Sequence, residues 1–137
     1  MSRSYFCPHC RKLLNPGTKV VFLVENGADM ELVLLSSTLG DYSVVHSRSM
    51  ELLDGAVYTF RCPLCRADLT SANDHRFVEL LSRSTDDEPP VRVGFSRIHG
   101  EHATFLMAEN GIDQYGEHAD RYDDPNFFGE AKNSNRG

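Results

Sequence analysis

Two short motifs constrain this chain more than anything else in it: Cys7-Pro8-His9-Cys10 and Cys62-Pro63-Leu64-Cys65. They contain all four cysteines of the 137 residues. Two residues between cysteines let both thiolates face one ion from a single tight turn. The proline after each first cysteine presets that turn, and backbone N–H groups inside it can donate to sulfur. Two such turns supply four thiolates, the full shell of a tetrahedral zinc ion with Zn–S near about 2.3 Å. No position is left for water, so the expected Zn2+ is single and structural, held by Cys7, Cys10, Cys62 and Cys65. Whatever the chain folds into must bring together two points separated by the 51 residues from Arg11 to Arg61. A spacer of that length is tolerated when it folds into strands of its own.

CPHC and CPLC resemble the paired knuckles of zinc-ribbon proteins, each on a tight turn beside β-strands. The resemblance covers the knuckles and their flanks, about twenty residues. It implies a metal site more than a role, because zinc ribbons serve transcription, translation, protein quality control and plain structural clipping. Arg11 and Arg66 stand directly after the second cysteine of each pair. Family knuckles often carry glycine there, where the chain takes positive φ.

The stretch Phe6 to Cys10 also resembles the active-site motif of thioredoxin-superfamily disulfide oxidoreductases. In that fold the motif follows a strand and opens a helix whose N-terminus lowers the thiol pKa. Here six residues precede Cys7, and Asn15-Pro16-Gly17 stops any helix within two turns. The second cysteine pair also has no role in that chemistry. Metal binding is therefore expected over thiol redox catalysis.

The rest of the chain reads as mostly β, with cysteine knuckles joined to hairpin lobes. Lys19 to Glu25 is rich in β-branched and aromatic residues. Asn26-Gly27 is a hairpin turn signal, and Met30 to Leu35 is the return strand. Further strands are expected over Tyr42–His46, Ala56–Arg61, Phe77–Ser82, Val91–Ile98 and His102–Ala108, with a short helix around Gln114–Arg121. A cysteine knuckle followed by hairpin material occurs twice, before Lys19–Leu35 and before Val91–Ala108. The organisation expected is a zinc-knuckle β lobe over 1–70, a second β lobe over 71–125 and a loosely held tail over 126–137, whose Phe127 and Phe128 are the residues expected to dock it.

Charge shapes the functional expectation. Residues 1–70 hold seven basic and seven acidic side chains; residues 71–137 hold seven against thirteen, and so carry the whole net charge of −6. That disfavours broad phosphate-backbone binding. The leading reading is a protein-binding or regulatory adaptor. The alternative is a nucleic-acid-associated ribbon that contacts its target through Arg11, Lys12, Arg61 and Arg66, the cations flanking the cysteines. Those same cations also offset the net negative charge of a four-thiolate zinc site. The N-terminal sequence has no apolar signal region and no apolar run reaches membrane-spanning length, so a cytoplasmic location is expected. His9 is read as a non-ligand beside a filled shell, and His99 and His102 as turn residues. Glu117, His118, Asp120, Asp123 and Asp124 are read as a solvated acidic face, Glu117 pairing with Arg121 at helical spacing. No phosphate loop, nucleophile elbow or His-Glu-x-x-His motif is present, and no catalytic residue is assigned.

Overall fold

The computed structural model describes residues 3–27, 29–46, 52–108 and 111–121. Over these residues the chain is mostly β, in two antiparallel sheets. The strands are β1 (Ser4–Phe6), β2 (Lys19–Asn26), β3 (Asp29–Ser36), β4 (Val44–His46), β5 (Thr59–Arg61), β6 (Phe77–Arg83), β7 (Val91–Ser96), β8 (Thr104–Ala108) and β9 (Gly111–Tyr115). One sheet has the order β1-β6-β7-β8-β9, the other β4-β3-β2-β5. The Asn26-Gly27 signal does close a hairpin: β2 and β3 pair from Lys19↔Ser36 to Asn26↔Asp29, and Gly27 takes φ 63°.

The chain is a structural duplication with exchanged strands. The first copy runs knuckle strand β1, knuckle, β2, β3, β4; the second runs β5, knuckle, β6, β7, β8. The registers match position by position. Tyr5↔Ser82 in one sheet corresponds to Phe60↔Val24 in the other, Lys19↔Ser36 to Phe77↔Ser96, and Leu35↔Val44 to Phe95↔Thr104. Each knuckle strand, however, joins the opposite copy: β1 pairs with β6, and β5 with β2. The counterpart of the β2–β3 hairpin is thus β6–β7, not the Val91–Ala108 hairpin that the sequence suggested.

The turns repeat too. After β3, Ser36 Oγ accepts from the Thr38 N–H (3.1 Å), Asp41 N–H donates to the Thr38 carbonyl (3.1 Å), and Gly40 takes φ 88°. After β7, Ser96 Oγ accepts from Ile98 N–H (3.1 Å), Glu101 N–H donates to the Ile98 carbonyl (3.1 Å), and Gly100 takes φ 86°. Serine, three residues, glycine and an acid are the shared signature.

Strand alternation puts one face of each sheet into a common core. Val20, Phe22 and Val24 of β2 and Val33 of β3 pack with Val78, Leu80, Val93 and Leu106 of the other sheet. Phe22, Phe60 and Phe95 meet pairwise edge to face at centroid distances of 5.3–5.8 Å, a geometry that contributes about 0.5–1.5 kcal/mol per pair beyond area burial. A second, smaller core lies on the far side of the five-stranded sheet. There Phe77, Ala103, Phe105 and Met107 are covered by Ala119 of a 3₁₀ turn, Ala119–Arg121.

The C-terminal helix expected at Gln114–Arg121 is absent. Gly111–Tyr115 is β9, paired to β8 from Thr104↔Tyr115 to Ala108↔Gly111, and only the single 3₁₀ turn follows. The backbone breaks at Gly116, whose φ of 99° lies outside the helical range and brings it against the His102 carbonyl. Arg121 accordingly pairs with Glu101 (3.2 Å) rather than Glu117. Phe127, Phe128 and the segment 126–137 lie outside the described residues.

Candidate metal centre

The strand exchange delivers one knuckle from each copy to the same point. β1 leads into Cys7 and β5 into Cys62, and the two turns are near-copies. Arg11 N–H donates to the Cys7 carbonyl (2.8 Å), as Arg66 N–H does to that of Cys62 (2.9 Å). Cys7 N–H reaches the Lys12 carbonyl (3.1 Å), and Cys62 N–H that of Ala67 (3.1 Å). Arg11 and Arg66 take φ 66° and 67°, the positive φ for which glycine is the usual residue. The backbone at these two positions is therefore that of the glycine-bearing knuckle, built with arginine.

All four Sγ atoms lie within 4.8 Å of one another. Across the two turns, Cys7 Sγ is 3.7 Å from Cys65 Sγ and Cys10 Sγ is 3.8 Å from Cys62 Sγ. A regular tetrahedron with metal–sulfur bonds of about 2.3 Å has edges of about 3.8 Å. Disulfides would need about 2.05 Å, and all four cysteines are free. Backbone donors are already aimed at sulfur. His9 and Cys10 N–H point to Cys7 Sγ at 3.3 and 3.4 Å; Leu64 and Cys65 N–H point to Cys62 Sγ at the same two distances. Cys7 and Cys62 are fully buried, Cys10 half-buried and Cys65 exposed. Four thiol donors at tetrahedral edge lengths, with N–H groups placed to stabilise negative sulfur, fit a metal ion. His9 is exposed and stands outside the cluster.

The thiol protonation pattern argues against redox catalysis. Burial pushes the Cys7 thiol up to about 12 and raises that of Cys62, while the Ala67 N–H holds Cys65 below the usual thiol range. A nucleophilic first cysteine needs the opposite. Nor does Cys7 open a helix; residues 8–10 are a turn, and none of residues 11–18 is helical. A metal cation removes those protons on binding.

The flanking cations are placed unequally. Arg61 Nε donates to Glu25 Oε1 (3.0 Å) and Arg61 Nη1 to the Arg66 carbonyl (2.9 Å), which ties knuckle two to β2. Arg11, Lys12 and Arg66 are exposed beside the cysteines.

A second cluster joins His102, Glu117 and His118, residues expected to be simply solvated. His102 N–H donates to His118 Nδ1 (2.9 Å), so the proton of a neutral His118 ring sits on Nε2, which faces Glu117 at 3.4 Å. Neither ring nitrogen then offers a lone pair to a metal. The cluster is a polar clasp that holds the β9–3₁₀ segment to the turn after β7. Tyr42 strengthens it, stacking on His102 at 4.4 Å and 7° while its hydroxyl meets Thr104 Oγ1 (2.7 Å). Asp120 is exposed and outside the clasp; Asp123 and Asp124 lie outside the described residues. The serine–glycine–acid turn that the structure shows twice is the signal by which the sequence could have located this region.

No helix among the described residues is long and apolar enough to cross a membrane. No protein-family model, curated protein or solved structure matches the chain.

Proposed function

We propose that this protein is a zinc-clipped binding module, whose one structural Zn2+ on Cys7, Cys10, Cys62 and Cys65 locks two exchanged β repeats into a surface for a protein partner. The reading rests on the four-sulfur geometry, with its 3.7 and 3.8 Å separations and its origin in two distant turns. Closed coordination by four thiolates favours a structural ion, and the thiolate-rich donor set favours zinc. A zinc-ribbon-like knuckle on each copy, rather than one compact ribbon, is the form of resemblance this reading adopts.

Two features support a protein partner over nucleic acid. The net charge of −6 opposes phosphate. The outer face of the four-stranded sheet is also apolar: Leu32 is 54% and Val45 49% exposed, and their cross-strand partners Leu23 and Leu34 lie on the same face. Apolar faces of this kind mark interaction surfaces. The test is affinity capture from native cells at low salt with the full chain, with and without nuclease, in parallel with metal analysis. The reading expects one zinc per chain and a protein partner that survives nuclease and is lost with Leu32→Glu. Capture abolished by nuclease, or by Arg11→Glu but not Leu32→Glu, would replace it with the nucleic-acid reading.

A further inference from the structure

Between the two sheets lies a cavity of about 510 Å³ that shares no residue with the four cysteines. Both copies line it with equivalent positions: Ser36 and Ser96, Gly40 and Gly100, Asp41 and Glu101, Tyr42 and His102. Its floor is the buried core, Tyr5, Val20, Phe22, Leu80 and Val93. Its walls include Leu35, Val44, Phe60 and Phe95. By register these side chains share the inward face with fully buried neighbours, yet they are only half-buried. Protein interiors close-pack. Here the two sheets meet at Phe22, Phe60 and Phe95 but leave a space beside that contact, and the space has the volume and aromatic lining of a small-ligand site.

The rim sets the ligand's charge. Asp41 and Asp54 bring two exposed carboxyl groups to it, and the Glu101 carboxylate lies buried in the lining. Hydrogen bonds from Ser36 and Ser43 hold Asp41 below the usual carboxyl range, so it is anionic at neutral pH. Glu101 is anchored by Ser96 Oγ (2.6 Å) and Arg121 (3.2 Å), and Asp54 faces His99 at 3.7 Å. The one arginine in the lining, Arg97, spends its guanidinium on the Tyr58 and His75 carbonyls and Thr59 Oγ1. Phe60, Phe95 and the Tyr42–His102 stack add aromatic faces and edges below the carboxyl groups. Aromatic walls under an acidic rim attract an organic cation through both cation–π and Coulombic terms.

We propose that the inter-sheet cavity binds an organic cation, with an apolar or aromatic body seated against Phe60 and Phe95 and a protonated amine or guanidinium at Asp41 and Asp54. A free amine and a basic side chain of a partner peptide share this chemistry.

The test uses the full-length zinc-loaded protein with isotope-labelled NMR and calorimetry. The probes are 2-phenylethylamine, its neutral analogue 2-phenylethanol, its anionic analogue 3-phenylpropanoate and an N-acetylated, C-amidated Phe-Arg dipeptide. The amine is expected to bind in the range of about 0.1–10 mM appropriate to nine heavy atoms. It should shift resonances of Phe95, Val44 and Gly100 and bind at least about tenfold tighter than the alcohol. A dipeptide tighter than the amine assigns the ligand to a polypeptide; a weaker one assigns it to a free amine. The double variant Asp41→Asn/Asp54→Asn, changed only at exposed side chains, should reduce amine affinity to that of the alcohol and leave the alcohol unchanged. Val44→Trp should abolish binding of both while zinc content stays at one. Equal binding of amine, alcohol and propanoate would overturn the proposal, as would saturable shifts that map elsewhere or no shift from the amine or the dipeptide. If Val44→Trp fails to fold, the aspartate variant and the probe series decide alone.

Discussion

Cys65 is exposed and Cys62 fully buried, so their serine variants separate a metal clip from ordinary core packing. If packing alone mattered, Cys65→Ser would be nearly neutral, as surface substitutions usually are, and only Cys62→Ser would cost. If one ion binds all four sulfurs, removing either donor releases it and the two variants fail alike. The loss can be sized from the chain. The clip closes a loop of 51 residues, and the chain-entropy relation gives such a closure a worth of about 4 kcal/mol at room temperature. For a domain of this size each kcal/mol moves the melting temperature by roughly 3–5 °C, so each variant should melt about 15 °C below wild type. The two losses should also not add: Cys62→Ser/Cys65→Ser should melt close to either single variant, because the ion leaves only once. Circular dichroism melts with zinc quantified on the same samples make the measurement. A Cys65→Ser protein that melts within about 2 °C of wild type while Cys62→Ser collapses would refute the clip.

Three further outcomes follow from particular residues. Gly116→Ala drives a Cβ to 2.2 Å from the His102 carbonyl at φ 99°, whereas Gly40→Ala meets nothing within 4 Å. The first should cost about 3 kcal/mol and the second only the positive-φ strain of about 1 kcal/mol, compared by urea unfolding. Arg11→Gly and Arg66→Gly relieve left-handed φ at 66° and 67°, and each should leave stability unchanged or raise it by up to about 1 kcal/mol with zinc retained. Tyr5 is buried, its hydroxyl donating to the Ser37 carbonyl (3.1 Å), and burial pushes its phenol up to about 12 from 10. Because the folded pKa is raised, this contribution is complete below pH 10 and is lost as pH climbs through 12. A two-unit shift is about 2–3 kcal/mol, and Tyr5→Phe should flatten that part of the alkaline stability profile.

What could be read from the sequence was local. β2 and β3 announced themselves by β-branched content around Asn26-Gly27, and β6, β7 and β8 by runs close to their observed bounds. The four cysteines announced a shared site because two-residue spacing is itself a geometric statement. What could not be read depends on partners distant in the chain. β1 is three residues long, and its partner β6 lies more than seventy residues away; nothing in Ser4-Tyr5-Phe6 alone distinguishes a strand. The duplication is hidden as well, because most equivalent positions outside the knuckles and the serine–glycine turns carry different residues and the intervals between them change along the chain. The helix expected at Gln114–Arg121 overlaps the last two residues of β9 because Gly111–Tyr115 is an exposed strand with no apolar alternation, and the Glu117/Arg121 spacing imitates a helical pair. The cavity was invisible for a related reason: a strand pattern says which side chains face inward, not whether the opposite sheet comes close enough to cover them.

The most direct test of the central claim is X-ray absorption at the zinc edge on the purified protein, supported by cobalt substitution. The expected result is one metal per chain, four sulfur neighbours near about 2.3 Å with no nitrogen or oxygen neighbour, and cobalt spectra of a tetrahedral thiolate site. A shell containing histidine or water, a stoichiometry of one metal to two chains, or a native protein whose Cys7 and Cys10 form a disulfide would contradict it.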